Sequence, residues 1–335
     1  MRLRSVLLSI ASIAVGVLLI VALVSIAKVD VHAALRQVVG ANRAALLRLT
    51  ALMAVLILLS AGKWRMIDKV LLRPDDGLLS GAAYFAITSA GVALGQVLPI
   101  PMSMVVARVL GTHFQGSALK RGTVGTLCDQ GTDFLMVCFL IPASVVTRMY
   151  FRTPRVWIVM GAGMSLLIFS IVPQMTGLLG WLARHFAGVG AGSRSRWRQA
   201  LRELSQFGLL EPRLVRKLMS LAMLRFVVLV LMADETSRAV ALSVPVWHLA
   251  AAMPFVVISS ALAVTPGGIG LNELTYTTAL TLFGTPLAIA AQWSLANRVL
   301  TAAAAFGVAA WSWGAFLVWK SLHLFRRDPV LDHAG

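Results

Sequence analysis

SVLLSIASIAVGVLLIVALVSIA, residues 5–27, carries no charged side chain between Arg4 and Lys28. As a helix rising about 1.5 Å per residue, a run of this length crosses a hydrocarbon core of about 30 Å. Arg2 and Arg4 before the run, and Ser25-Ile26-Ala27 at its end, have the outline of a cleaved secretory signal. The run exceeds the usual apolar region of such signals, about 7 to 15 residues, and further runs follow it. A retained first helix with a cytoplasmic N-terminus is therefore expected.

The rest of the chain repeats the pattern. Uncharged stretches lie between Asp76 and Arg108, Arg155 and Arg184, Arg238 and Glu273, Glu273 and Arg298, and Arg298 and Lys320, with shorter ones after Arg48 and Asp133. The chain is 59% hydrophobic and 13% charged, with a mean hydropathy of +0.84. Soluble domains are about 25% charged. The reading is all-α: a polytopic membrane helix bundle of about seven or eight spans with two re-entrant or broken segments. An integral protein of the inner (cytoplasmic) membrane follows.

A net charge of +17 would suit a nucleic-acid binder, but the basic residues collect in short loops between spans. Positive-inside bias and attraction to anionic headgroups explain that placement, so no nucleic-acid partner is expected. The most basic loop, 184–217, contains Arg184, Arg194, Arg196, Arg198, Arg202, Arg213, Arg216 and Lys217, and is expected to be cytoplasmic. It divides an N-terminal membrane half, 1–183, from a C-terminal half, 218–322, which is followed by a cytoplasmic tail, 323–335. Residues 30–48 suggest an interfacial amphipathic helix. A second span of about 46–62 is then expected to end at a cytoplasmic loop, where Lys63, Arg65 and Lys69 snorkel and Trp64 sits at the interface.

Two interruptions carry the functional reading. Pro266, Gly267, Gly268 and Gly270 break a helix, because proline removes a backbone donor and each glycine costs about 1 kcal/mol relative to alanine. Open backbone at membrane depth survives only where it is buried in protein or lines an aqueous cavity. A short helix then resumes with Glu273 in its first turn and ends near Gly284-Thr285-Pro286, a half-helix of the kind transporters bring to a substrate. Arg298, in the next apolar run, is the expected partner of Glu273. The pair either fixes packing or binds: Arg298 on a lipid phosphate, Glu273 orienting it or carrying a proton.

Pro99-Ile100-Pro101 opens the other interruption, followed by Gly116 and then by Asp129 and Asp133, four residues apart on one helical face. Arg108, Lys120 and Arg121 are the nearest cations in sequence that could meet these acids. A wet helix end would also tolerate Asp129, and a metal site would need His113. Matching interruptions in two halves point to an internal inverted repeat with a site at its interface. Cys128 and Cys138 have no partner motif, so neither a disulfide framework nor a metal is expected. His248 reads as a satisfied or cavity-lining histidine.

Pro266-Gly267-Gly268-Ile269-Gly270-Leu271-Asn272-Glu273, with Gly284, Ala288 and Arg298, resembles the C-terminal signature of the flippase-like family typified by the transmembrane region of lysylphosphatidylglycerol synthase. Leu98-Pro99 with Asp129 and Asp133 resembles its N-terminal signature, and the likeness runs from about residue 5 to 322. The chain has Ser103-Met104 where family members typically carry Gly-Glu, and Asp129-Gln130 where they often carry Glu-Arg. These departures shift weight to Glu273, Arg298 and Asp133.

The resemblance implies a lipid translocase whose partner is a membrane phospholipid or lipid-linked phosphate, such as an aminoacylated phospholipid or a polyprenyl carrier. Substrate contacts are then expected from Pro266, Gly267, Gly268, Gly270, Glu273, Arg298, Asp133, Asp129 and Arg108. It implies no synthesis and no cofactor, because aminoacyl transfer in the synthases belongs to a separate soluble domain and none is expected after Arg327. The competing readings are a membrane-embedded enzyme acting on a lipid phosphate, with Glu273 or Asp133 as base, and an accessory subunit that anchors a synthase partner through the basic loop.

Overall fold

The computed structural model describes residues 2–72, 77–113, 119–151, 153–188, 211–262 and 265–325. The described residues are all-α, without strands. In chain order the helices are α1 (Arg2–Ala27), α2 (Val31–Val39), α3 (Arg43–Leu71), α4 (Gly81–Leu94), α5 (Ile100–His113), α6 (Leu119–Val146), α7 (Pro154–Gly188), α8 (Pro212–Ala239), α9 (Val246–Leu262), α10 (Leu271–Leu282) and α11 (Leu287–Phe325). A π turn, Thr147–Phe151, follows α6, and a 3-10 turn, Pro266–Gly268, precedes α10.

Local chemistry sets the boundaries. The side chains of Asp30, Asn42 and Ser80 accept backbone N–H bonds at the starts of α2, α3 and α4, which satisfies donors that the helix itself leaves orphaned. Pro154 and Pro212 open α7 and α8, where a missing N–H costs nothing.

Four helical stretches are long and apolar enough to cross a membrane: Arg43–Leu71, Gly122–Tyr150, Pro154–Thr176 and Leu287–Val318. A fifth is reached if Ile13–Ala27 and His32–Val39, bent by 104° at their junction, count as one. Among the expected spans, α8 is long but carries Arg225 between Lys217 and Asp234, so no membrane-length stretch of it is free of several charges. The apolar helices α4 and α9 are too short to pass alone.

Both expected interruptions are present, and each forms a hairpin. On α4 and α5 the close pairs are Ile87 with Gly111, Gly91 with Met104, and Gly95 with Ser103, an antiparallel register. On α9 and α10, Ser259 and Ser260 meet Asn272, and Met253 meets Tyr276. At about 1.5 Å per residue, none of these four arms reaches the roughly 30 Å of a full span.

Two expectations at the start of the bundle need correction. The helix within the expected amphipathic stretch 30–48 is only α2, Val31–Val39, because Asn42 caps a new helix from Arg43. That helix runs on to Leu71, so Lys63 and Trp64 do not mark a membrane boundary: both side chains are fully buried. Helices α7 and α8 run into the two ends of the basic segment 184–217, whose middle, 189–210, lies outside the described residues, as does the tail from 326.

Helix α3 is central, packing against α8, α4, α6 and α11. Its apolar face, including Leu49, Met53, Leu56 and Ile57, meets Val228 and Met232 of α8 and Leu300 and Ala304 of α11. A second core, from Met136, Leu140, Met219, Phe226, Leu249, Leu280 and Trp293, ties α6 and α8 to the second hairpin.

Candidate functional site

Gly267, Gly268 and Gly270 have φ of 60°, 68° and 83°, the left-handed region that a Cβ disfavours. Space is equally demanding: a Cβ on Gly267 would collide with Arg298 and the Gln96 carbonyl, and one on Gly270 would stand 2.5 Å from the Gly16 carbonyl of α1. The open backbone is held by specific partners. Gly267 N–H donates to the Leu98 carbonyl at 2.9 Å. Arg298 donates through Nη1 to the Gly267 carbonyl at 2.8 Å and through Nη2 to the Gln96 carbonyl at 3.1 Å. The two interruptions therefore meet, and Arg298 stitches one to the other.

Glu273 is buried. One of its carboxylate oxygens, Oε2, accepts the Gly270 N–H at 2.7 Å, capping its own helix, and the other, Oε1, lies 3.7 Å from Arg298 Nε. A guanidinium has five N–H donors. Two go to carbonyls and one faces Glu273, which leaves one on each terminal nitrogen, and the Arg298 side chain keeps 20% of its surface open.

That opening is a cavity of about 260 Å³. Met53, Leu56, Leu229, Met232, Met253 and Val256 form its apolar wall, while Gln96, Ser260, Asn272, Glu273, Asn297 and Arg298 form the polar one. Asn272 Oδ1 is already engaged by the Ser259 and Ser260 hydroxyls at 2.9 and 3.0 Å. The result is an amphiphilic chamber with one cation and one anion, bounded by α3, α4 and α8–α11.

A second charged site lies where α3, α5, α6 and α8 meet. Lys63 Nζ contacts Asp129 Oδ1 at 2.9 Å and Asp133 Oδ1 at 2.5 Å, and donates to the Asp129 carbonyl at 3.0 Å. Arg108 Nη2 donates to Asp129 Oδ2 at 2.6 Å, and Arg225 pairs with Asp133. The Arg108 guanidinium also lies 4.8 Å from the Trp64 ring centre, a cation–π contact strengthened by burial. Beyond it Trp64 meets Tyr84 edge-on, and the Tyr84 hydroxyl donates to Asp68. Lys63, Arg108 and Asp129 are sealed in, while Asp133 and Arg225 keep 22% and 19% of their side chains open.

The family model described as lysylphosphatidylglycerol synthase TM region matches residues 9–309. The chain belongs to this family. No curated protein and no solved structure matches the chain. The matched stretch takes in both interruptions, the cavity and the charged cluster, so the features that make this family member's interior polar all fall within the family's domain.

Of the expected site residues, Gly267, Gly270, Glu273 and Arg298 come together at the break, with Pro266 opening its 3-10 turn and Gly268 within it. Asp129, Asp133 and Arg108 gather in the other cluster. There Arg108 is fully buried against Asp129 and Trp64 and does not line the cavity, so it is not placed for the expected phosphate contact. Asp129 is not at a wet helix end, since its side chain is 2% exposed. The side chains of Lys120 and Arg121 lie outside the described residues.

Sequence reasoning missed Lys63 and Arg225. Arg225 was signalled by its isolation within the apolar run 218–233, and Lys63 was hidden by its neighbours Trp64 and Arg65, which mimic the end of a span. His248 is satisfied, its Nδ1 lying 2.7 Å from Thr285 Oγ1. No group of three or more His, Cys, Asp or Glu suited to a metal occurs among the described residues.

Proposed function

We propose that this protein is a lipid translocase of the cytoplasmic membrane, and that the cavity at Glu273 and Arg298 receives the phosphate-bearing headgroup of its lipid. The observation that carries this reading is the pairing of an apolar wall with an arginine that retains free donors at the junction of two broken helices. Two N–H groups on adjacent terminal nitrogens suit the paired oxygens of a phosphate. Glu273 stands 3.7 Å from the guanidinium Nε. The apolar wall offers three methionines, Met53, Met232 and Met253, whose unbranched side chains adapt to differently shaped chains.

We read the two hairpins, each followed by a long helix, as re-entrant halves of an inverted repeat, with the short arms α4, α5, α9 and α10 completing the bundle's crossings in pairs. We assign the N-terminus and the 184–217 segment to the cytoplasm, a reading that their basic residues support. The role is that of a carrier: neither charged site contains a nucleophile held by a base, and the carboxylate at the cavity is occupied in capping and pairing.

The test is reconstitution of the purified chain in phosphatidylcholine vesicles containing a fluorescent phosphatidylglycerol, with leaflet exchange followed by quenching of the outer label. Wild type should exceed empty vesicles, and Arg298→Ala should lose at least about tenfold, the equivalent of one charge-assisted contact. Exchange no faster than in empty vesicles, across anionic and zwitterionic labels, would refute the reading.

A further inference from the structure

The cavity and the charged cluster lie on one line. Helices α3 and α8 pack antiparallel: Asn42 N–H donates to the Ala239 carbonyl at 2.9 Å, Arg48 pairs with Glu235 at 2.9 Å, Met53 and Leu56 share the cavity wall with Leu229 and Met232, and Lys63 reaches Arg225 through the shared Asp133. Moving from Arg48 to Lys63 covers roughly 22 Å along α3 at about 1.5 Å per residue, most of a hydrocarbon core of about 30 Å. Along that line stand a half-exposed arginine, Arg48, at one end, Arg298 in the middle, and Arg225 at the other end.

We propose that the α3–α8 seam is the path of the headgroup, and that Arg225 and Arg48 are its terminal phosphate-binding stations on either side of Arg298. The inference rests on the translocase reading and adds two sites to it. Each station has the same design. A carboxylate on a neighbouring turn or helix holds the cation in place, Asp133 for Arg225, Glu235 for Arg48 and Glu273 for Arg298. Each arginine keeps open surface, 19%, 52% and 20% of the side chain respectively.

Arg225 Nε is buried with no hydrogen-bond partner, a donor that the pairing with Asp133 leaves unused. Between stations the seam is packed shut by the buried side chains of Leu49, Met53, Val228 and Met232, so passage of a headgroup requires α3 and α8 to part there; these residues contribute no competing charge. Arginines spaced along that line shorten the distance over which a phosphate is left unpaired in hydrocarbon, the costly state for an ion at membrane depth. The sealed part of the cluster, Lys63 with Asp129 and Arg108, serves as the anchor that positions Asp133.

The test uses the same vesicles with labelled phosphatidylglycerol, comparing wild type, Arg225→Gln, Arg48→Gln, Arg298→Ala and, as a control, Arg36→Gln, an exposed cation on α2 away from the seam. Monodispersity and thermal unfolding are measured alongside. Arg225→Gln and Arg48→Gln should each slow exchange by about tenfold with Arg36→Gln at the wild-type rate. Arg48→Gln removes one half-exposed surface pair and should fold, so it decides the matter if Arg225→Gln does not. Wild-type rates in a folded Arg48→Gln or Arg225→Gln, with Arg298→Ala slow, would overturn the seam and leave the cavity reading intact. Wild-type protein no faster than empty vesicles would end both.

Discussion

The two buried charge sites are built on opposite plans. At the α3–α5–α6–α8 junction the opposing charges are all side chains, and Lys63 bridges two carboxylates while Arg108 is closed over by Trp64. At the Pro266 break the cation is tied mainly to main-chain carbonyls, its carboxylate partner is 3.7 Å away, and a cavity opens beside it. Lys63, Arg108 and Asp129 are sealed from any ligand, even though Arg108 Nε and Nη1 have no hydrogen-bond partner, and such a network has much to lose when one member is removed. A cation tied to backbone keeps its position and some of its donors. The polar interior of this chain thus divides into a sealed part, Lys63 with Arg108 and Asp129, that holds helices together, and partly open cations, Arg298 and Arg225, that can hold something else.

The sharpest way to break that contrast is Asp129→Asn. It leaves Lys63 and Arg108 facing each other in the interior with the shared carboxylate charge gone, and breaking a buried pair on one side costs about 3–5 kcal/mol. Thermal unfolding in detergent should show a large loss of stability, with exchange activity falling only as folded protein is lost. A stable Asp129→Asn protein that is nonetheless inactive would reverse the assignment and make the sealed Lys63–Asp129–Arg108 part of the junction a working element and not an anchor. Glu273→Gln should behave otherwise: its amide keeps an acceptor for Gly270 N–H, so stability should fall by only about 1–2 kcal/mol, whereas exchange should fall more than the loss of fold explains.

Next in size is Gly267→Ala. Left-handed backbone at a residue with a side chain costs on the order of 1–3 kcal/mol, and here the added methyl would also push against Arg298 and the Gln96 carbonyl. The predicted signature is a modest fall in melting temperature with a disproportionate fall in leaflet exchange, because the arginine loses its seat. A larger effect of Gly268→Ala than of Gly267→Ala on exchange would weaken the case, since the atoms nearest a Cβ on Gly268 belong to Asn272, whereas those nearest a Cβ on Gly267 include Arg298.

The fold was legible where the physics is local and one-dimensional. Uncharged length gave the spans around α3, α6, α7 and α11, and proline with glycine gave both hairpins. Glu273 with Arg298 could be paired because an acid and a base stood alone in neighbouring apolar runs. The junction was only half legible. Asp129 and Asp133 announced that cations were needed, and nearness in sequence offered Arg108, Lys120 and Arg121, of which Arg108 does meet Asp129, whereas three-dimensional packing added Lys63 and Arg225 from 66 and 92 residues away. Lys63 also followed an apolar run and preceded a tryptophan, the same pattern that a membrane boundary gives, so only the continuation of α3 to Leu71 separates the two cases. The meeting of the breaks through Gln96 and Leu98 was invisible, since it runs through main-chain carbonyls that no side-chain pattern encodes.

The smallest expected effect tests whether the contrast depends on burial or merely on charge. Arg238 pairs with Asp234 at 2.6 Å within one helix, with 60% of its side chain exposed. An exposed pair of this kind contributes about 0.3–0.5 kcal/mol and is screened by salt. Arg238→Gln should therefore leave both melting temperature and exchange within error of wild type at physiological ionic strength. Its neighbour Glu235, which also holds Arg48, should then keep that arginine in place on its own. A marked slowing of exchange in Arg238→Gln would mean that the charge at this end of α8 acts on the headgroup as a field and not through Arg48 alone, and raising the salt would tell the two apart, because the field would fade while the direct pair at 2.9 Å would persist longer.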